Sequence, residues 1–150
     1  MKTFEKISLI DCSIEELFSF HLDVKNLEAI TPPNTKVELL NKDFIPKEGG
    51  ILKIRTVKSF IPTNWEVKIE KLDEPNILVD VALKSPFKSW EHSHIFTKKG
   101  NICELKDIVK YELPFGKIGA LFDFFIQKEL KGMFDFRHMI TKQSLEKKNF

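Results

Sequence analysis

From Val37 to Leu113 apolar and polar residues alternate in short runs with period two, and from Lys117 onward apolar positions recur at helical spacing. The first pattern predicts β-strands and the second an α-helix. Phe4 to Asp11 reads as an opening strand. Ser13 followed by Glu16 has the spacing of a capping box, and it opens a short amphipathic helix with Ile14, Leu17, Phe18 and His21 near one face. Asp23 can cap a second short helix, residues 24–30, which Thr31-Pro32-Pro33 stops.

Six more strands are expected over residues 37–41, 51–58, 64–72, 77–84, 89–97 and 101–113. Turn signals at Pro46–Gly50, Ile61-Pro62, Asp73–Asn76, Ser85–Phe87 and Lys99-Gly100 separate them, and Pro114-Phe115-Gly116 closes the sheet. The final helix, from Lys117 to about Glu146, contains no proline and would be roughly 40 Å long. Ile118, Leu121, Phe122, Phe125 and Ile126 mark its expected inner stripe. Short connections make sequential strands antiparallel neighbours. The expected architecture is α+β, in one domain. A curved seven-stranded antiparallel sheet wraps a long C-terminal helix, with two short helices after the first strand. A sheet bent around a helix leaves a gap, and such gaps hold ligands.

The last hairpin carries most of the chemistry. With Lys99-Gly100 as its two-residue turn, Phe96 faces Cys103, His94 faces Leu105, His92 faces Asp107 and Trp90 faces Val109. Trp90, His92, His94, Phe96, Cys103, Leu105, Asp107, Val109 and Tyr111 then share one face. The other face is mostly polar, so this set looks inward. Inward polar groups must be paired or wet. A polar patch lining a cavity is preferred to a His92–Asp107 pair that merely satisfies itself. Two histidines and an acid also suggest a metal, but no further histidine or cysteine is placed to complete a ligand set, so none is expected. The facing of Asp80 depends on the loop before it. With Glu74-Pro75 as the loop, Asp80 shares the face of Trp65, Val67 and Ile69; one residue more sends it outward, which periodicity slightly prefers.

Composition adds three points. The 14 Phe, against one Tyr and two Trp, belong mostly to a core but also suit a cavity that stays apolar. A net charge of +2 with interleaved signs leaves no footprint for nucleic acid. Cys12 and Cys103 lack CxxC spacing and read as buried thiols in a reducing compartment. No apolar run has the length of a signal peptide or a membrane span, so a cytoplasmic protein without stable membrane insertion is expected.

The stretch Ser85-Pro86-Phe87-Lys88-Ser89-Trp90-Glu91-His92-Ser93-His94-Ile95-Phe96 resembles the GPF-x-x-W-x-H-x-H-x-F segment of the SRPBCC ligand-binding family, with Ser85 in place of its glycine. Asp107-Ile108-Val109-Lys110-Tyr111-Glu112-Leu113-Pro114-Phe115-Gly116 resembles that family's D-x-V-x-Y-x-L-P-x-G continuation. Phe20-His21-Leu22-Asp23, Thr31-Pro32-Pro33, Phe134 and Arg137 are similar to its outer segments. The resemblance implies the helix-grip fold of START proteins and the birch-pollen allergen, and it tips Asp80 toward the pocket. The superfamily includes lipid and hormone carriers, quinone-binding proteins and aromatase/cyclase enzymes, so it implies a fold more than a function.

Two functions are weighed. The preferred one is a carrier or sensor of a small, largely apolar ligand such as a lipid, isoprenoid, quinone or polyketide. Its walls would come from Trp65, Trp90, Phe96, Phe122 and Phe125, and His92, His94, Asp107, Asp80 and Tyr111 would meet its polar end. The alternative is a cyclase- or dehydratase-like enzyme with His92 as base, Asp107 orienting it and Tyr111 as donor. The chain carries no nucleophile elbow, phosphate-binding glycine loop or HExxH motif, and no cofactor is expected. A weaker reading, a docking module, needs Phe122, Phe124 and Phe125 exposed. A homodimer is left open.

Overall fold

The computed structural model describes residues 1–146. Seven strands form one antiparallel sheet: β1 (Lys2–Ile10), β2 (Thr35–Leu39), β3 (Ile51–Lys58), β4 (Ile61–Asp73), β5 (Ile77–Lys84), β6 (Ser89–Lys99) and β7 (Ile102–Glu112). Their order across the sheet is β1-β7-β6-β5-β4-β3-β2, so the first strand lies beside the last. Helices α1 (Ile14–Leu22) and α2 (Asn26–Ala29) carry the chain from one edge of the sheet to the other. A short α3 (Gly116–Ala120) leads into α4 (Asp123–Leu145), which crosses the concave face. This is the curved helix-grip architecture expected from the sequence. At 1.5 Å per residue the 23 residues of α4 span about 34 Å.

Local chemistry explains most boundaries. Ser13 and Glu16 form the capping box that opens α1, and Leu17 and Phe18 bury its inner face. Asp23 accepts from the Lys25 backbone N–H, although α2 starts later than its sequence pattern suggests. Ser59 and Phe60, both at positive φ, join β3 to β4 in a two-residue turn. Ile61-Pro62 is therefore the start of β4 and not a break. Pro62 faces Val57 across the ladder.

The last hairpin is shifted from its expected register. Lys99 pairs with Ile102, which makes Gly100 and Asn101 the turn, with Gly100 at φ +62, a left-handed conformation that glycine adopts without strain. The shift is two residues, so the faces are unchanged: Trp90 now opposes Tyr111, His92 opposes Val109 and His94 opposes Asp107. Between β4 and β5 the loop is the longer of the two weighed, since Asp73 pairs with Ile77. A bulge at Glu70 then restores the pairing of Ile69 with Asp80, and Asp80 faces the concave side after all.

The final helix is broken where continuity was expected. The chain turns at Leu121-Phe122, and Gly119 packs so closely that an added Cβ would sit 1.9 Å from the Pro114 carbonyl oxygen. The inward stripe of α4 consists of Ile126, Leu130, Phe134, His138 and Thr141. Phe122 and Phe125 fall off that stripe and are 61% and 55% exposed, together with Phe124, Leu121, Ile118 and Phe115. Cys12 and Cys103 are buried free thiols. Among the described residues no helix is long and apolar enough to cross a membrane.

Candidate functional site

Two apolar clusters make up the core. One gathers Ile10, Leu17, Phe18, Ile69, Leu78, Phe96, Cys103 and Leu105; the other gathers Phe4, Trp90, Val109, Tyr111, Leu130 and Phe134. Between them the inward positions of four adjacent strands are polar: Asp80 on β5, His92 and His94 on β6, Asp107 on β7 and Ser8 on β1. From above, α4 adds Arg137 and His138, and α1 adds His21. All four histidines of the chain thus meet in one belt.

Asp107 is its centre. As an acceptor it fixes the donors around it. His92 Nε2–H donates to Oδ1 at 2.6 Å and His138 Nε2–H to Oδ2 at 2.5 Å, while His138 Nδ1 meets the Ser8 hydroxyl at 2.8 Å. His94 Nε2–H donates to Asp80 Oδ2 at 2.9 Å. His94 Nδ1 lies 3.2 Å from Asp107 Oδ1 but off the line of a hydrogen bond, so that contact is electrostatic. The rings of His92 and His94 are 3.8 Å apart.

The charges sort by these contacts. Burial disfavours ionising Asp107, yet the hydrogen bonds from His138 and His92 and the close charge of His94 hold its carboxyl well below the usual range. Asp80 is lowered against burial in the same way, by His94 first. Burial also opposes a charge on His94, but Asp107 and Asp80 overturn it and hold the ring near 9. His92 goes the other way: burial, then the neighbouring His94 charge, lower it. His21, buried and donating through Nδ1 to the Leu17 carbonyl, falls to about 4. At neutral pH the belt holds two carboxylates, an imidazolium at His94 and a neutral imidazole at His92 whose Nδ1 carries a lone pair.

Asp80, His92, His94 and Arg137 form the polar end of a cavity of about 640 Å³ between the sheet and α4. The rest of its wall is mainly apolar: Leu22, Leu27 and Ile30 from the helical segment, Leu52, Ile54, Trp65 and Val67 from β3 and β4, and Leu130 and Met133 from α4. Phe87 and Trp90 pack at 4.8 Å between ring centres, and Trp65 meets Trp90 edge-on at 5.4 Å. Both tryptophans of the chain therefore line it.

Of the ten candidate residues, Trp65, Asp80, Trp90, His92 and His94 lie on this wall. Asp107 lies behind it, reaching the cavity through His92 and His94. Phe96 is packed in the first core cluster. Tyr111 is also off the wall: its hydroxyl donates to Asp123 at 2.5 Å and accepts from Gln127 at 2.7 Å, and burial pushes its pKa up. Phe122 and Phe125 are on the outer surface. His138 is not among the residues the sequence singles out; the signal that points to it is its four-residue spacing from Phe134, which the structure places on the inner stripe.

Asp80, His92 and His94 offer ligand atoms within 4.8 Å of one another, the one such group among the described residues. The chemistry of this set favours a hydrogen-bond network over a metal centre. The His94 Nε2 that would ligate is held as a donor to Asp80, and Arg137 brings a fixed cation to the same end of the cavity.

The family model for polyketide cyclase / dehydrase and lipid transport matches residues 10–136. The chain belongs to this family. Solved structures share the fold at low identity. A protein from Thermus thermophilus is 14% identical with a TM-score of 0.76, over 95% of each chain. A START superfamily protein from Mycobacterium smegmatis is 12% identical with a TM-score of 0.67, over 95% of this chain and 96% of that one. The di-domain ARO/CYC StfQ from the steffimycin biosynthetic pathway is 9% identical with a TM-score of 0.74, over 94% of this chain and 50% of that one. No curated protein matches in sequence.

Proposed function

We propose that the protein binds a small, largely apolar molecule in the cavity between the sheet and α4, as a carrier or sensor. Lipid, isoprenoid, quinone and polyketide-like molecules all have this character. The observation that carries the reading is a roomy cavity that is apolar over most of its wall, with a largely buried cluster of ionisable side chains, Asp80, His92 and His94, on one part of it. Its volume, about 640 Å³, lies in the range of small-molecule sites. Trp65 and Trp90 supply apolar contact, and Asp80, His92 and His94 orient the polar end of the ligand.

Because both tryptophans line the cavity, their emission reports its occupancy. Titration with the neutral dye Nile red should quench it with saturation. An unchanged spectrum overturns the reading.

A second reading is acid–base catalysis in the same cavity. It is favoured by one contact, the His92–Asp107 hydrogen bond, which leaves His92 Nδ1 free to take a proton from a ligand. Tyr111 has no place in it, since its hydroxyl is engaged by Asp123 and Gln127. His92→Ala separates the two: a carrier loses affinity, whereas an enzyme keeps most of its binding and loses turnover.

A further inference from the structure

Arg137 is one of two arginines in the chain. It stands on the inner side of α4 and lines the polar end of the cavity with Asp80, His92 and His94. Among the described residues its guanidinium makes no ion pair within 4 Å and no hydrogen bond; it lies over the Phe134 ring at 5.4 Å and feels the charges of Asp107 and Asp80 only at longer range. Its Nε is shut off from solvent and unsatisfied. The neighbouring acids are engaged elsewhere. Asp80 Oδ2 accepts from His94, and Asp107 accepts from His92 and His138. Arg137 is thus a cation on the cavity wall whose enclosed Nε donor no group of the described residues satisfies.

Buried donors left unmade cost free energy, and a guanidinium fork matches a planar pair of oxygens. We propose that Arg137 is the anchor for a carboxylate, and that the ligand is an apolar carboxylic acid lying with its hydrocarbon part against Trp65, Trp90 and Met133. This rests on the cavity being the ligand site. It adds the charge of the ligand and the atom group that reads it.

The probe is dodecanoate against dodecanol, below micelle-forming concentrations, at neutral pH, read by tryptophan quenching. Wild-type protein should bind the acid at least about tenfold more tightly than the alcohol, the ratio one charge-assisted hydrogen bond supplies. Arg137→Gln should remove that preference, bringing dodecanoate affinity down to about that of dodecanol in the same variant. Equal binding of acid and alcohol by the wild type overturns the carboxylate anchor and leaves the cavity reading intact. Binding of neither overturns both. Dodecanoate labelled with 13C at its carboxyl gives an independent readout on wild-type protein. Bound at Arg137 it should titrate at lower pH than the free acid, and a value at or above the free acid's contradicts the proposal.

Discussion

His92 Nε2 lies 2.6 Å from Asp107 Oδ1, although the two residues are not opposite each other in the sheet. His92 faces Val109, and Asp107 faces His94. The bond is diagonal, and it leaves the second carboxylate oxygen free for His138 on α4. One acid thereby ties sheet to helix between two apolar clusters. The first prediction concerns this tie. Asp107→Asn keeps the shape but removes the charge that His92, His94 and His138 share. Chemical denaturation should show a loss of about 3 kcal/mol, the usual cost of breaking a buried pair on one side.

The belt also sets a pH dependence. His94 has a folded pKa near 9, above its ordinary 6.5, so its stabilisation is complete below pH 6.5 and lost as pH rises through about 9. His21 has the reverse shift, from 6.5 to about 4, so stability falls as pH drops across that window. His92 is shifted in the same direction as His21. Asp80 and Asp107 stabilise above the ordinary carboxylate range and lose that only as pH falls through their lowered values. Denaturation midpoints should therefore peak near pH 6.5, with roughly 3 kcal/mol lost across the alkaline window and at least as much across the acid one, where His92 and the two acids add to His21. His94→Gln should flatten the alkaline limb and, because the His94 charge also shifts His92, His21 and Asp80, reshape the acid limb.

Gly132 stands on α4 at the cavity wall, and a Cβ built there meets nothing within 4 Å. Gly132→Ala should raise stability by about 0.5–1 kcal/mol through helix propensity, as read from the denaturation midpoint. Gly132→Phe should project a ring into the cavity and abolish Nile red binding while the circular dichroism spectrum stays native.

Inner and outer phenylalanines should separate sharply. Phe134 is fully buried beside Phe4 and His92, so Phe134→Ala should cost about 3–5 kcal/mol. Phe124 is 78% exposed, and Phe124→Ser should change stability by no more than about 0.5 kcal/mol, both variants being read by chemical denaturation.

The sequence made the inward face of β6 and β7 legible because side-chain parity survives a two-residue slip. Register did not survive it: Lys99-Gly100 and Gly100-Asn101 are both acceptable turns, and only the pairing of Lys99 with Ile102 decides between them. Asp80 shows the limit of periodicity. The longer loop that would turn it outward is present, and one extra residue at Glu70 cancels the effect. A bulge leaves no periodic trace. Phe122 and Phe125 fit a helical stripe in spacing, but the turn at Leu121-Phe122 and the tight packing of Gly119 under Pro114 rotate that stripe away from the sheet. His138 and Arg137 could be placed on a helix, but their meeting with Asp107 and the cavity depends on how α4 lies over the sheet, which no local pattern encodes.

The most direct test is a crystal structure of the protein soaked with a bromine-labelled alkane, with the bromine located by anomalous scattering. The account predicts a peak between Trp65, Trp90 and Met133, in an open space bounded by His92 and Arg137. A cavity closed by its own side chains, with bromine found only on the outer surface around Phe122 and Phe124, would contradict it.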